Sequence, residues 1–322
     1  MASTRLLRWG LLGTARINRA VIPVMNEAAR SSLEAVASRS LERARTYAAE
    51  WMIPRAIGSY QELLADPGID AIYISLPNGL HVEWTVRALE AGKHVLCEKP
   101  LALSVEGVDE IAAAVQRTGR VAAEAFMYRH HPLTLAVERS VRDGAIGELR
   151  FMRGAFTFPL TRAGDVRFDP ALGGGSLWDV GCYPVSYSCF LAGTAPAEVF
   201  GWQESGPSGI DMAFAGMLKF PNGVAAQFDC GFRAAFRAEM EIVGTDGVLR
   251  VDRAFRTGPD SRLLVTRGDE TMPVAFDRDD AYVGEIRDMA AAVLDGDAPR
   301  VPLSESRRTV ETLRRLYASA AR

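Results

Sequence analysis

Short apolar runs alternate with amphipathic segments over the first part of the chain. Five runs predict strands, at Leu6–Leu12, Leu33–Ser38, Ala71–Leu76, His94–Glu98 and Val121–Ala125. Segments with helical spacing lie between them, near Asn18–Ala28, Leu41–Trp51, Tyr60–Leu64, Val82–Ala91 and Val105–Arg117. Ser104 is placed to begin a helix and Gly92 to end one. Continuous apolar strands are typical of parallel strands covered on both faces, so the alternation predicts a doubly wound parallel sheet over residues 1–125.

A second pattern begins after residue 126. Between residues 197 and 266, apolar residues alternate with polar or small ones, as in strands that bury one face. Pro221-Asn222-Gly223 lies between two such stretches and predicts a hairpin turn. The other predicted elements are a helix at Pro132–Asp143, a strand at Leu149–Phe158, a helix from the Gly173–Ser176 turn to about Leu191, and helices near Ala281–Leu294 and Ser304–Ala321. We therefore expect an α/β protein whose second domain, residues 126–322, is an α+β domain with a mostly antiparallel open sheet and helices on one face.

The overall composition disfavours several classes of partner. Apolar residues make up 48% and charged residues 24% of the 322, and the net charge is −3. This mild balance gives no electrostatic reason to expect nucleic acid or an anionic membrane as a partner. No run approaches the roughly 18 apolar residues of a membrane span, and residues 6–12 are interpreted as a core strand rather than a signal peptide.

The cysteines and histidines point away from a metal enzyme. Four cysteines, Cys97, Cys182, Cys189 and Cys230, show no CxxC pairing. We expect buried free thiols in a reducing compartment and hence a cytoplasmic protein. The four histidines lack zinc-ligand spacing with these cysteines, so no metal site is predicted and a zinc alcohol dehydrogenase is disfavoured.

The first strand runs directly into a degenerate dinucleotide fingerprint. The usual pattern is GxGxxG or GxGxxA between a strand and a helix, and here the residues are Gly13-Thr14-Ala15-Arg16-Ile17-Asn18. Gly13 supplies the tight turn, Ala15 is small enough for the backbone to approach a pyrophosphate, and Asn18 departs from the pattern. We expect backbone N–H groups at the start of the next helix to hold the phosphates of a Rossmann-type cofactor. The alternative is a tight strand–helix turn with no ligand.

The end of the second strand bears on the choice between NAD and NADP. NAD sites usually carry Asp or Glu there, to accept hydrogen bonds from the ribose hydroxyls. This chain has Ser38 and Arg39, with Arg43 one turn on. A guanidinium can stack on adenine and pair with a 2′-phosphate. We therefore favour NADP(H) over NAD(H), against the alternative of a solvated arginine at a helix start.

An ordered set of motifs gives the chain a family resemblance. Along the chain they are Gly13–Asn18, Pro77–His81, Ala91–Val95, Glu98–Pro100, Ala125–Pro132 and Gly173–Pro184. Together they resemble the glucose–fructose oxidoreductase / inositol dehydrogenase / MocA family over at least residues 6–190. The resemblance implies an NAD(P)-dependent oxidoreductase that moves a hydride to or from a CH–OH or C=O carbon of a sugar or similar polyol.

The resemblance also implies the residues of the site. The lysine of the family's Glu-Lys-Pro motif is catalytic, which implies Lys99. An Asp-x-x-x-His/Tyr element on a helix of the second domain supplies its partners, and Asp179 and Tyr183 have this spacing. A tyrosine there resembles the branch of NADP-dependent sugar dehydrogenases, dihydrodiol dehydrogenase and deoxysugar ketoreductases. Further cofactor contacts are expected after strands four and five, from Leu76, Pro77, Asn78, His81, Glu98 and Lys99. His81 is equally suited to cap a helix.

The chemistry of hydride transfer supports the same three catalytic residues. A proton must leave or reach the substrate oxygen, and Tyr183 is a suitable acid–base group although a free phenol has a pKa of about 10. A neighbouring ammonium favours the phenolate, and Lys99 can provide it. Asp179 lies four residues before Tyr183 on the same helical face, where it can bind a substrate hydroxyl or steady Lys99.

Two other functions stay open at this point. One is a diol dehydrogenase of the dihydrodiol dehydrogenase type. The other is a cofactor-binding regulator without turnover, which the presence of all three catalytic residues disfavours. Arg129, Arg162 and Arg167 precede or flank the Gly-rich turn, and for each we expect a surface ion pair rather than a contact to a polar or phosphorylated substrate.

One face of the predicted second sheet is too apolar for comfortable exposure. Its residues are Ala213, Ala215, Met217, Ala225 and Gln227. The resemblance implies pairing through this sheet. We therefore expect a homodimer or homotetramer that acts on a small sugar or polyol.

Overall fold

The computed structural model describes residues 5–322, which form two compact units. The first contains residues up to His130 together with Tyr282–Leu303, and the second contains His131–Ala281 and Ser304–Arg322. The four cysteines are free and buried, as predicted. Among the helices of residues 5–322, none is both long and apolar enough to cross a membrane.

Six parallel strands form the sheet of the first unit. They are β1 Leu7–Leu12, β2 Ser31–Ala37, β3 Arg55–Ile57, β4 Ala71–Ile74, β5 His94–Glu98 and β6 Ala122–Ala125. The helices between them are α1 Asn18–Glu27, α2 Leu41–Trp51, α3 Tyr60–Ala65, α4 His81–Glu90 and α5 Val105–Thr118. The strand order is β3-β2-β1-β4-β5-β6, so the predicted doubly wound sheet is confirmed. The order reverses between β1 and β4, and the carboxyl ends of strands at such a point form the ligand crevice of these folds.

Local sequence fixes several of these boundaries. The side chains of Ser40, Ser59 and Ser104 accept hydrogen bonds from the first turns of α2, α3 and α5, which are the N-caps that short polar residues favour. Gly92 follows α4 with φ +80°, a conformation that glycine adopts without strain. Strand β3 has only three residues and was not predicted, because such a short run carries no periodicity.

Eight strands form the sheet of the second unit. They are β7 Leu149–Thr157, β8 Glu198–Ser205, β9 Asp211–Lys219, β10 Ala225–Gly231, β11 Arg237–Gly244, β12 Val248–Asp252, β13 Arg262–Arg267 and β14 Glu270–Pro273. Their order is β14-β13-β12-β11-β7-β10-β9-β8. All neighbours are antiparallel except β7 and β10, which are parallel. The predicted mostly antiparallel sheet and the hairpin at Pro221-Asn222-Gly223, which joins β9 to β10, are therefore confirmed.

Three helices belong to the second unit and leave one sheet face uncovered. They are α6 Pro132–Arg142, α7 Cys182–Ala192 and α9 Leu303–Ala320. Helix α9 covers one end of the sheet, where Tyr317 packs edge-on against Phe214 at 5.6 Å between ring centroids. On the opposite face, Phe200, Trp202 and Met217 are 62%, 57% and 54% exposed. The sheet thus presents an apolar outer face.

The remaining helix, α8 Ala281–Leu294, departs from the expected division of the chain at residue 125. Its apolar residues pack into the core of the first unit, together with β1 and α1, rather than on the second sheet; they are Val283, Ile286, Met289 and Ala290. Asp295, just after α8, forms an ion pair with Arg30 at 2.7 Å. Helical periodicity predicts such a helix but does not say which sheet its apolar stripe will cover.

Candidate active site

The turn after β1 has the shape that a pyrophosphate needs. Gly13 has φ +111°, and a Cβ there would lie 3.1 Å from Leu76 Cδ2, so the position favours glycine in both backbone and space. The buried Asn18 side chain donates from Nδ2 to the Gly13 carbonyl oxygen at 2.9 Å. Ile17, at the N-cap position before α1, provides no side-chain cap. The amides of the first three helical residues donate to carbonyl oxygens of the turn, whereas the Thr14 and Arg16 amides have no partner among residues 5–322. The donors open to a dinucleotide phosphate therefore lie in the turn itself.

The end of β2 carries two arginines beside a phenol. Ser38 is buried, whereas Arg39 and Arg43 are exposed. Both guanidiniums lie close enough to Tyr60 to oppose the burial that raises the pKa of its phenol. Within residues 5–322, the structure gives neither arginine a carboxylate partner. Two unneutralised cations at this edge are suited to a 2′-phosphate.

Lys99 lies on a tightly fastened turn after β5. The Lys99–Pro100 peptide bond is cis. Glu98 accepts hydrogen bonds from the Tyr73 hydroxyl and, at 3.3 Å, from the Lys99 amide. The Leu101 amide donates to Glu124 Oε1 at 2.8 Å. The Glu98 and Glu124 carboxylates thus hold the amides on both sides of the Lys99–Pro100 peptide, and Tyr73 from β4 orients Glu98.

His81 also holds this turn. Its Nδ1 lies 2.8 Å from the Pro100 carbonyl oxygen and its Nε2 lies 2.8 Å from the Leu76 carbonyl oxygen. We expected a cofactor contact or a helix cap, but the ring is fully buried and joins the ends of β4 and β5. Burial lowers the pKa of His81, so the neutral ring donates to one carbonyl at a time.

Close backbone packing begins the helix that carries Asp179 and Tyr183. Gly175 has φ +121°, and a Cβ there would lie 2.2 Å from Asp211 Oδ1. Its amide donates to the Arg167 carbonyl oxygen at 3.0 Å. One wide turn, Leu177–Gly181, then leads into α7. The Gly-rich run is therefore a packing requirement at the start of this helix.

A buried carboxylate anchors the same helix start. Asp211 accepts hydrogen bonds at 2.7 Å from the Ser176 hydroxyl, the Leu177 amide and the Tyr317 hydroxyl. Burial raises the pKa of Asp211, although these three donors act in the opposite direction. Sequence patterns did not identify Asp211, because its donors come from a distant turn and from α9.

Asp179 is paired with an arginine. Arg167 donates from Nε to Asp179 Oδ2 at 2.6 Å, and its Nη1 lies 3.3 Å from Asp165 Oδ1. Arg162 forms an ion pair with the other oxygen of Asp165. The Asp179 side chain is only 10% exposed, and its charge raises the pKa of Arg167 further above its usual value. The ion pair expected for Arg167 exists, but it lies within the candidate site rather than on the surface.

Tyr183 is enclosed by aromatic side chains of its own unit. Its ring centroid lies 5.2 Å from that of Phe156 and 5.5 Å from that of Phe255. The residue is 7% exposed. Packing on these rings fixes the direction of the phenol, as an acid–base group requires. The pairing was missed because Phe156 lies on β7 and Phe255 follows β12.

The predicted residues form one group in each unit. In the first unit, the Gly13–Asn18 turn, Ser38 with Arg39, the Leu76–His81 segment and Glu98 with Lys99 follow β1, β2, β4 and β5 in turn. These strands are neighbours in the sheet, so their carboxyl ends share one edge. In the second unit, Asp179 and Tyr183 lie on successive turns of one helical segment.

Comparison with known proteins assigns a family to both parts of the chain. Residues 7–126 match the oxidoreductase family with an NAD-binding Rossmann fold. Residues 134–250 match the GFO/IDH/MocA C-terminal domain. A D-xylose 1-dehydrogenase (NADP(+)) from Haloferax volcanii is 37% identical over 318 residues, which cover 98% of this chain and 97% of that protein.

Two ketosugar reductases are also similar to this chain. A dTDP-3,4-didehydro-2,6-dideoxy-alpha-D-glucose 3-reductase from Streptomyces antibioticus is 36% identical, covering 92% of this chain and 91% of the relative. The crystal structure of a 3-ketoreductase from Actinomadura kijaniata in complex with NADP and TDP-benzene superposes with a TM-score of 0.91 at 30% identity, covering 98% of each chain.

Proposed function

Because this chain belongs to the GFO/IDH/MocA family of NAD(P)-dependent oxidoreductases, we propose that it moves a hydride between NADP(H) and a CH–OH or C=O carbon of a sugar or sugar derivative. The observation that carries the proposal is the fastened Lys99 turn at the carboxyl edge of the first sheet. Because side chains hydrogen-bond the backbone amides around it, Lys99 has a fixed backbone position, as a residue of an active site requires and a solvent-exposed surface lysine does not. The names of the xylose dehydrogenase and ketoreductase relatives favour a sugar over another alcohol.

The choice of NADP(H) rests on the end of β2. Arg39 and Arg43 are exposed, and Ser38 stands where NAD enzymes usually carry an acid. A 2′-phosphate would supply the anion that these guanidiniums lack. A relative and a solved structure whose names include NADP point the same way.

A Lys–Tyr proton relay accounts for the site residues. When bound, the nicotinamide gives or takes the hydride. Tyr183 donates a proton to the substrate oxygen during reduction and accepts one during oxidation. Lys99 stabilises the phenolate and hydrogen-bonds the same oxygen. Asp179, held by Arg167, orients a neighbouring substrate hydroxyl or the lysine ammonium.

The outer face of the second sheet supports a homo-oligomer. Phe200, Trp202 and Met217 form an exposed apolar surface, which a second copy of the chain would cover. We further propose a cytoplasmic location, since four buried free thiols suit a reducing compartment.

A substrate screen tests the proposal directly. The purified protein is incubated with NADP+ and aldoses or diols, or with NADPH and ketosugars, and the absorbance of the reduced nicotinamide is followed. We expect turnover of at least one sugar and a higher kcat/KM for sugars than for non-sugar diols. The matched control is Tyr183→Phe, which removes one hydroxyl. Turnover of diols alone would favour a diol dehydrogenase, and cofactor binding with no turnover of any substrate would favour a regulator.

A further inference from the structure

Asn18 stands where the dinucleotide fingerprint has its third small residue, yet its side chain is fully buried in the turn. In the usual pattern that residue is glycine, which permits close packing of helix on strand. Here the same position carries an amide that donates to the Gly13 carbonyl oxygen at 2.9 Å. The side chain thus links the first residue of the turn to the first residue of α1.

That hydrogen bond fixes a peptide plane. The Gly13 carbonyl and the Thr14 N–H belong to one planar trans peptide, so they point in opposite directions. Because the carbonyl is held toward Asn18, the Thr14 N–H is held away from it. Within residues 5–322, the structure gives this N–H no hydrogen-bond partner. It is a free donor in a fixed orientation.

A second side chain does the same two residues later. The Tyr47 hydroxyl, from α2, donates to the Ala15 carbonyl oxygen at 3.2 Å. The Arg16 N–H, across that peptide plane, is therefore turned away from Tyr47. It too has no partner among the residues that the structure describes. The Gly13 and Ala15 carbonyls thus accept hydrogen bonds from side chains, and the amides of the same two peptides point the other way and have no partner among residues 5–322.

We propose that Asn18 is a positioning residue for the cofactor, braced in this task by Tyr47. By holding the Gly13 carbonyl, it presets the Thr14 amide for the pyrophosphate before the cofactor arrives, so binding does not have to order the turn. Glycine has no side chain to hold that carbonyl, and it adds backbone freedom at the start of α1. Restoring the fingerprint glycine in this chain therefore weakens cofactor binding.

Equilibrium titration tests this inference without any substrate. The dissociation constant of NADPH is measured by nicotinamide fluorescence for the wild type, Asn18→Gly and Asn18→Ala. We expect both variants to bind NADPH roughly 5- to 50-fold more weakly, the range that loss of one ordered hydrogen bond allows. Tight binding by Asn18→Gly, equal to the wild type or better, would overturn the inference.

A fragment of the cofactor separates positioning from general damage. Adenosine 2′-phosphate carries the adenine, ribose and 2′-phosphate but no pyrophosphate, so its dissociation constant should stay within about twofold of the wild type in both variants. An equal loss for the fragment and for NADPH would show that the variants merely loosen the site, which also overturns the inference.

The matched control makes the same substitution elsewhere. Asn222, in the β9–β10 hairpin, donates to the Ala192 carbonyl oxygen at 3.1 Å and accepts from the Val224 amide at 3.3 Å. Asn222→Gly should lower thermal stability but leave NADPH affinity unchanged. If the Asn18 variants do not fold, Tyr47→Phe takes their place, and it should cost roughly two- to tenfold in NADPH affinity and nothing for the fragment.

The inference rests on the NADP(H) binding of the proposed function and not on its sugar chemistry. A wild-type protein that binds NADPH but turns over no sugar would refute the proposed function and leave the Asn18 experiment fully readable. An unchanged NADPH affinity in the Asn18 and Tyr47 variants would refute the inference alone.

Discussion

Arg167 Nε lies 2.6 Å from Asp179 Oδ2, one helical turn before Tyr183. The carbonyl oxygen of Arg167 also accepts the Gly175 amide at 3.0 Å. Arg167 therefore hydrogen-bonds both the Gly-rich turn, through its carbonyl oxygen, and Asp179, through its side chain. Asp179 is thus a nearly buried carboxylate that is already paired within its own unit.

Arg167→Met should be destabilising because it leaves the nearly buried Asp179 carboxylate unpaired. We expect a loss of about 1–3 kcal/mol in the free energy of unfolding, below the value for a fully buried pair because the Arg167 side chain is 37% exposed. Adding Asp179→Asn should recover part of the loss. Urea unfolding of the two single variants and the double variant measures this coupling. As a control, Arg162→Met affects only the pair with Asp165 and should cost less than about 0.5 kcal/mol. If the effects of Arg167→Met and Asp179→Asn on the free energy of unfolding are additive, the two residues are not coupled and the pairing is contradicted.

Tyr183→Phe should slow turnover about 10²- to 10⁴-fold, because it removes only the hydroxyl that we propose as the acid–base group. Lys99→Ala should do comparable damage, and the double variant should be little worse than either single one, since groups that act as a unit are non-additive. Steady-state kinetics on the best substrate of the screen gives these values, with NADPH affinity as the control for folding. Near-normal turnover of Tyr183→Phe would rule out the relay.

The sequence predicted the elements that carry these residues but not the contacts that orient them. The helix at Leu41–Trp51 and the strand at His94–Glu98 were predicted at their observed bounds, because apolar spacing and capping are local signals. Asp211 and Phe255 could not be predicted as neighbours of the Tyr183 helix, since only tertiary packing brings them there. The parallel pairing of β7 with β10 was missed for the same reason.

Arg39→Asp should reverse or erase the preference for NADP(H). The substitution replaces a cation at the end of β2 with a group that repels a 2′-phosphate and accepts hydrogen bonds from ribose hydroxyls. Titration of the wild type and the variant with NADPH and NADH measures both affinities. Wild-type binding of NADH at least as tight as that of NADPH would contradict our assignment of the cofactor.

Trp202→Glu with Met217→Glu should prevent the self-association that we propose through the second sheet. Both side chains lie on the outer face of the second sheet, where Trp202 stands opposite Ala215 and Met217 opposite Gln227. A charge on each would be buried without a partner in any assembly through this face. Sedimentation velocity at micromolar concentration should give a dimer or tetramer for the wild type and a monomer for the variant. A wild type that sediments only as a monomer would exclude the assembly.

Stability should fall on mild acidification because of His94. Burial and the nearby Arg120 lower its pKa from 6.5 to about 4, and its Nδ1 accepts a hydrogen bond from the Val121 amide at 3.0 Å. Between these two pH values His94 is protonated in the unfolded chain but neutral in the folded protein. Its contribution to the free energy of unfolding is therefore fully present above pH 6.5 and is lost as the pH falls toward 4. Allowing for partial exposure, we expect a loss of about 0.5–1.5 kcal/mol between pH 7 and pH 5.

His94→Asn should remove that share of the pH dependence, because asparagine does not titrate and its Oδ1 takes the place of Nδ1 as acceptor for the Val121 amide. Urea unfolding at the two pH values measures the difference. The remaining slope belongs to other groups, including His81 and His131, whose pKa values burial also lowers. The same slope in the variant as in the wild type would show that His94 is not responsible.

Because Tyr282–Leu303 belong to the first unit, that unit cannot be completed until late in the synthesis of the chain. When residue 130 leaves the ribosome, the first sheet is complete, but α8 residues that cover part of its core have not yet been made. The roughly 170 residues that follow take about 10–35 s at a synthesis rate of about 5–20 residues per second. During that interval the apolar surface that Ile286 and Met289 cover in the folded protein is exposed and accessible to chaperones. A protein truncated at residue 130 lacks α8, so this apolar surface remains exposed.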